Sequence, residues 1–215
     1  MARTDELIAT LASELQPVRR MAPPGRRAVA WLASIGVVIV LIVLQFSSHR
    51  LIEQRVSVAR MTLESLGSAL TAVAAIMAAF ELSVPGHSPR WNWVPIPPLL
   101  LWLGASGAGC LQNGSGLHTP YTQHMPSCFV FIFIVSIPLS AALFWMLRRA
   151  RPIAPLPVAI SGALGVAATS ATLLQFFHPF DITWLDLGIH LVAVVAIVTL
   201  AVALRDTLLA GTRHR

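Results

Sequence analysis

Residues 28–46 read AVAWLASIGVVIVLIVLQF, nineteen consecutive residues without a charged side chain. A helix rises about 1.5 Å per residue, so about twenty apolar residues cover the hydrocarbon core of a bilayer. This stretch is a membrane span, and the rest of the chain is read outward from it.

The pattern recurs five times, at Met61–Phe80, Val94–Leu111, Phe129–Leu147, Pro155–Phe177 and Ile182–Leu204. The second run is the less apolar for Glu64 and Glu81 near its ends. The third opens on Pro95, Pro97 and Pro98, which puts its first turn at the interface. The connections are short and end in Pro, Gly, Ser or Asn, which predicts turns rather than a folded extramembrane domain. The expected architecture is an all-α polytopic membrane protein. An N-terminal arm at 1–27 precedes a six-helix transmembrane domain at 28–205, and a basic tail at 206–215 follows it.

Composition agrees. Of 215 residues 56% are hydrophobic and 11% charged, where soluble domains carry about 25% charged residues. No extramembrane segment is long enough to bury the core a soluble-type enzyme needs. Two cysteines are too few for a disulfide scaffold. The residues before the first run include Asp5, Glu6 and Glu14 and no short apolar region of a cleaved signal. Arg26-Arg27 reads as the positive flank of that run.

All fifteen basic residues are arginine, and the net charge is +6. With six spans, twelve arginines fall on the side of the termini and three, Arg50, Arg55 and Arg60, on the other. The positive-inside rule then places both termini in the cytoplasm. Because the arginines stand beside spans, they orient and anchor, and no direct nucleic-acid partner is expected. Most of the six tryptophans lie near span ends, as interfacial anchors do. Membrane lipids are the first partner this composition implies.

In the arm, Thr4 is placed to cap a helix, and Asp5 and Glu6 suit its positive end. Leu7, Ile8, Leu11 and Leu15 form one apolar face, and Pro17 ends the pattern. Pro23-Pro24-Gly25 makes a stiff link to the first span. A helix of about a dozen residues is marginal alone in water, so its apolar face wants a partner. One occupant is the bilayer surface, although the helix lacks the Lys/Arg-rich polar face of interfacial helices. The other is a groove in a soluble protein.

On the opposite side, Cys110 ends the third span and Cys128 opens the fourth. The uncharged loop 111–127 holds His118 and His124, and the next outer loop adds His178 and Asp181. Thiolate and imidazole at one membrane face suit a soft metal or a response to oxidation. Packing cysteines, solvated histidines and a Cys110–Cys128 disulfide are the alternatives, and no zinc motif is present. In the sixth span, Asp186 and His190 stand one turn apart on a shared face. Ionisable residues in a membrane call for a functional reading, here proton handling or a wet packed pair. Gly104, Gly107 and Ala108, with Ser161, Gly162 and Gly165, are small enough for close helix packing.

The order and spacing of several short motifs resemble the NrsF-type family of six-span bacterial membrane proteins. They are Thr4-Asp5-Glu6-Leu7-Ile8, Pro17-Val18-Arg19-Arg20, Pro23-Pro24, Trp31-Leu32, Leu82-Ser83-Val84-Pro85-Gly86 running into Arg90-Trp91, and Cys128. The resemblance runs through nearly the whole chain. It implies an anti-sigma factor in the bacterial inner membrane, with an extracytoplasmic-function sigma factor as partner. It also implies Cys128 as a sensing cysteine. The family has a His-Cys-Pro step after the fifth span, where this chain has Phe177-His178-Pro179, and His190 matches the family's downstream histidine. A thiol-pair mechanism therefore does not carry over directly. Either Cys110 substitutes, or His178 keeps metal binding without disulfide chemistry.

The leading expectation is a non-enzymatic regulator that releases its sigma factor on a periplasmic metal or oxidative stimulus. No resident cofactor is expected, and a heavy-metal ion would bind transiently under the metal alternative alone. The alternative is a membrane thiol or quinone oxidoreductase using Cys110 and Cys128, which lacks the second cysteine pair such an enzyme uses as a relay. A small transporter is disfavoured by the lack of inverted repeats and broken helices.

Overall fold

A computed structural model describes residues 2–13, 20–113, 125–177 and 184–209. Among the described residues there are helices and no strands. In chain order these are α1 (Ala2–Ser13), α2 (Pro24–Phe46), α3 (His49–Ser57), α4 (Ala59–Leu82), α5 (Ile96–Asn113), α6 (Met125–Arg148), α7 (Pro155–Gln175), α8 (Trp184–Ala203) and α9 (Arg205–Leu209). A 3-10 turn at Pro89–Trp93 leads into α5. Helices are the expected solution in lipid, because each satisfies its own backbone hydrogen bonds.

Among the described residues, five helical stretches are long and apolar enough to cross a membrane: Pro24–Phe46, Ala59–Leu82, Pro89–Leu111, Phe129–Arg148 and Pro155–Gln175. The sixth expected run forms α8, whose described apolar part, Leu187–Ala203, is shorter.

Local differences from the sequence reading have physical causes. The first span starts at Pro24 rather than Ala28, since a proline is tolerated in a helix's first turn. Arg26 and Arg27 thereby become part of α2. The arm helix begins at Ala2, so Thr4 lies inside it and is not its cap. The connection after the first span holds α3, whose start is capped by Ser48 accepting from the Leu51 amide at 3.4 Å. The segment after α8 begins with α9, whose Leu209 is buried against the bundle.

α4 and α7 form the centre. About 72% of the apolar window of α7 is buried and 56% of that of α4, against 11% for α2, which lies at the periphery. Lipid tails are as apolar as leucine, so helices in a bilayer associate through close packing of small residues. Accordingly Ala159, Ala163, Ala167 and Ala168 of α7 are buried. A Cβ on Gly165 would lie 2.7 Å from Cδ1 of Ile76 and 3.1 Å from its amide nitrogen. A Cβ on Gly67 would lie 2.8 Å from the Trp102 backbone, which brings α4 and α5 equally close. Gly104 and Gly107, read as packing residues, have no such neighbour within 4 Å. Trp31 and Trp102 are buried packing residues rather than interfacial anchors. Ser136 of α6 and Ser170 of α7 share a buried hydrogen bond at 3.0 Å, two residues before Pro138 inside α6.

Candidate functional site

On α1, Leu7, Ile8 and Leu11 are 57%, 59% and 55% exposed. They share one face by their i, i+1, i+4 spacing. Asp5 is exposed in the same helix, in its first turn. Leu15 lies outside the described residues. Two side chains tie back to the backbone: Thr10 Oγ1 donates to the Glu6 carbonyl at 2.9 Å and Ser13 Oγ to that of Thr10 at 2.8 Å.

The other assembly is a buried polar cluster where α2, α3, α4 and α7 meet. Arg55 of α3 and Glu64 of α4 are 7% and 2% exposed, with Nη1 3.5 Å from Oε2. Arg55 Nε also donates to the carbonyl of Gln175, the last residue of α7, at 2.9 Å. Thr172 Oγ1 donates to Ser68 Oγ at 3.0 Å, and Gln175 Nε2 donates to the same oxygen at 3.4 Å. Ser47, just past α2, donates its hydroxyl to the Phe176 carbonyl at 2.6 Å. Two carbonyls at the C-terminal end of α7, where helix carbonyls lack partners within the helix, are thus held from outside it, that of Gln175 by Arg55 of α3 and that of Phe176 by Ser47 just past α2. Holding a charge in such a place is costly unless it is paired and hydrogen-bonded.

This cluster was not legible as a site in the sequence. Glu64 reads there as a blemish on a span, and Arg55 as one of three outer arginines. The signal that marks it is a lone carboxylate inside an apolar run, nine residues after an arginine of the preceding helix.

The cysteine–histidine set is distributed as follows. Cys110 is fully buried in α5. The Arg60 guanidinium lies against its neighbour Gly109, where an added Cβ would be 2.5 Å from Nη1. Cys128 falls in the first turn of α6. His118, His124, His178 and Asp181 lie outside the described residues. Among the described residues no three His, Cys, Asp or Glu side chains are grouped to hold a metal ion. Asp186 and His190 both fall in α8, one turn apart, and His190 is half-buried.

Position in the chain links the cluster to the expected sensor. Gln175 and Phe176 precede Phe177 and His178 directly, and Phe177 packs at 6.2 Å between ring centres on Phe131, in the first turns of α6 after Cys128.

A family model described as NrsF, negative regulator of sigma F, matches residues 11–209. No curated protein and no solved structure matches the chain.

Proposed function

The chain belongs to the NrsF family, negative regulators of sigma F, and from that premise we propose that it holds an extracytoplasmic-function sigma factor at the inner membrane through its N-terminal arm and releases it on a periplasmic stimulus. Negative regulation of a sigma factor makes a sigma factor its partner. Its several long apolar helices make it a membrane protein.

The exposed apolar face of Leu7, Ile8 and Leu11 carries this reading. A short helix with three large apolar side chains in water gains by laying that face in a groove. The match to the family begins at residue 11, so Leu7 and Ile8 lie before it and Leu11 opens it. The asymmetry of arginines supports cytoplasmic termini and six spans, with α8 completing the sixth.

Transmission has a physical route. The stimulus, a heavy-metal ion or an oxidant, acts at Cys128 and His178, with Cys110, His118 and His124 as further ligands or thiols. It must favour one of two helix arrangements over the other, or nothing is transmitted. Ser47 joins the end of α7 to the end of α2, and α2 runs unbroken to Pro24, where the arm begins. A shift of the α7 end therefore has a rigid rod along which to reach the arm. Asp186 and His190, one turn apart in α8, are the further candidates for proton handling.

The test is capture from membranes by the full chain and by a chain lacking residues 1–20. Recovery of a sigma factor only with the arm is expected; equal recovery without it sinks the proposal.

A further inference from the structure

Arg27 stands in the first turns of α2 and is only 8% exposed. Its Nη2 donates to the Met146 carbonyl of α6, and its Cζ lies 5.1 Å from the centre of the Phe80 ring of α4. Neither partner carries a negative charge. Its Nη1 is buried and has no acceptor among the described residues. Four residues on, and so on the same face of α2, Trp31 is 3% exposed and its indole Nε1–H also has no acceptor.

The surroundings add positive charge. Arg26 precedes Arg27, and the first turn of α2 has neither an acidic residue nor a side-chain cap, although a helix N-terminus favours negative charge. Arg149, past the end of α6, lies 3.8 Å over the exposed Trp145 ring. The Glu81 carboxylate reaches the start of α2, where its Oε1 would be 3.6 Å from a Cβ on Gly25. Its other oxygen is held by His87 Nδ1 at 2.6 Å. None of the ion pairs among the described residues includes Arg27.

A guanidinium stays charged at any physiological pH, and a buried charge calls for a counter-ion. The group that answers both unpaired donors is an oxyanion. We infer that α2 and α6 hold the phosphate of an anionic phospholipid at this end of the bundle, on Arg27 and Trp31, with Arg149 beside it. Several features single out a lipid. The site lies at the ends of membrane spans, on the peripheral helix α2, beside exposed Trp145 and Arg149. Basic pockets between spans bind such headgroups. Several arginines with one carboxylate already engaged select an anionic headgroup over a zwitterionic one. Engagement turns the Arg27 fork outward, exchanging one neutral carbonyl acceptor for charged phosphate oxygens, which make the stronger bonds.

The experiment is lipid retention by the full chain, purified from bilayers of phosphatidylglycerol and phosphatidylcholine and read by native mass spectrometry. The wild type should enrich phosphatidylglycerol about tenfold over the bath. Arg27→Gln should abolish the enrichment. Trp31→Phe, which keeps the ring and removes the N–H, should lower it severalfold, while exposed Arg90→Gln should leave it unchanged. Should Arg27→Gln not fold, Trp31→Phe alone decides. Equal retention of the two lipids, or wild-type enrichment in Trp31→Phe, overturns the inference. Displacement of the lipid by inorganic phosphate assigns the donors to a free anion and overturns the lipid assignment. Loss of sigma-factor capture in Trp31→Phe with lipid retention intact assigns them to a protein carboxylate, and overturns it too.

Discussion

Gly165 of α7 lies so close to Ile76 of α4 that the smallest side chain would meet its Cδ1 at 2.7 Å and its backbone nitrogen at 3.1 Å. The two central helices therefore touch nearly backbone to backbone. The contact depends on a missing Cβ, and the amide nitrogen cannot move aside as a side chain does. Gly165→Ala should cost about 1–3 kcal/mol, the usual range for overpacking a core. Gly104→Ala, where nothing lies within 4 Å, should be neutral or slightly stabilising, since alanine is the better helix former. Denaturation midpoints of the two variants in detergent check this, and equal midpoints would refute the close approach.

The Arg55–Glu64 pair gives a second expectation. Removing one partner of a buried ion pair costs about 3–5 kcal/mol, whereas replacing both with apolar residues is often neutral. Glu64→Leu should thus destabilise the chain strongly, and Arg55→Met with Glu64→Leu should recover most of the loss. The same comparison in denaturant checks it. A double variant no better than the single one would mean that the pair is held by something other than mutual charge, such as the Gln175 carbonyl that Arg55 also contacts.

At the arm, Leu7→Asp or Leu11→Asp should weaken sigma-factor capture while membrane insertion is unchanged. Each buried leucine is worth roughly 1.5–3 kcal/mol, or about ten- to a hundredfold in affinity. Wild-type capture by both variants would remove the groove-binding reading.

Topology is checked by reporter fusions. Fusions at residues 215 and 87 should read cytoplasmic, and fusions near residue 118 periplasmic. A periplasmic C-terminus would leave an odd number of spans and displace α8 from the membrane.

For the sensor, metal and oxidant predict different variant patterns. If a metal ion is the trigger, Cys128→Ser should abolish release and His178→Ala should weaken it severalfold, since thiolate and imidazole both ligate soft metals. If a disulfide is the trigger, Cys110→Ser and Cys128→Ser should behave alike and His178→Ala should do little. Release of the sigma factor on metal or oxidant exposure is the measurement. An undiminished response in Cys128→Ser would turn attention to Asp186 and His190.

The family match had been legible in short motifs spread along the chain, and the helical class in its apolar runs. Both are local properties: a run of about twenty apolar residues can satisfy its backbone in lipid only as a helix. The order of the long helices and the exposed apolar face of α1 follow from the same local patterns, whereas α2 starts at Pro24, four residues before the apolar run that marks it. Which helices form the centre was not legible. In water a buried face is marked by an apolar stripe, but in lipid every face of a span is apolar, so hydropathy does not distinguish α7 from α2 although their burial differs widely. Only the packed structure shows that Gly67 and Gly165 make the close contacts while Gly104 and Gly107 face open space. Pairings across elements were equally out of reach. Arg27 reads as a flanking charge and Glu64 as an interruption of a span, yet both are buried, because α6 and Phe80 cover the one and Arg55 meets the other. A charge's partner is fixed by how helices pack, and no spacing along the chain encodes that.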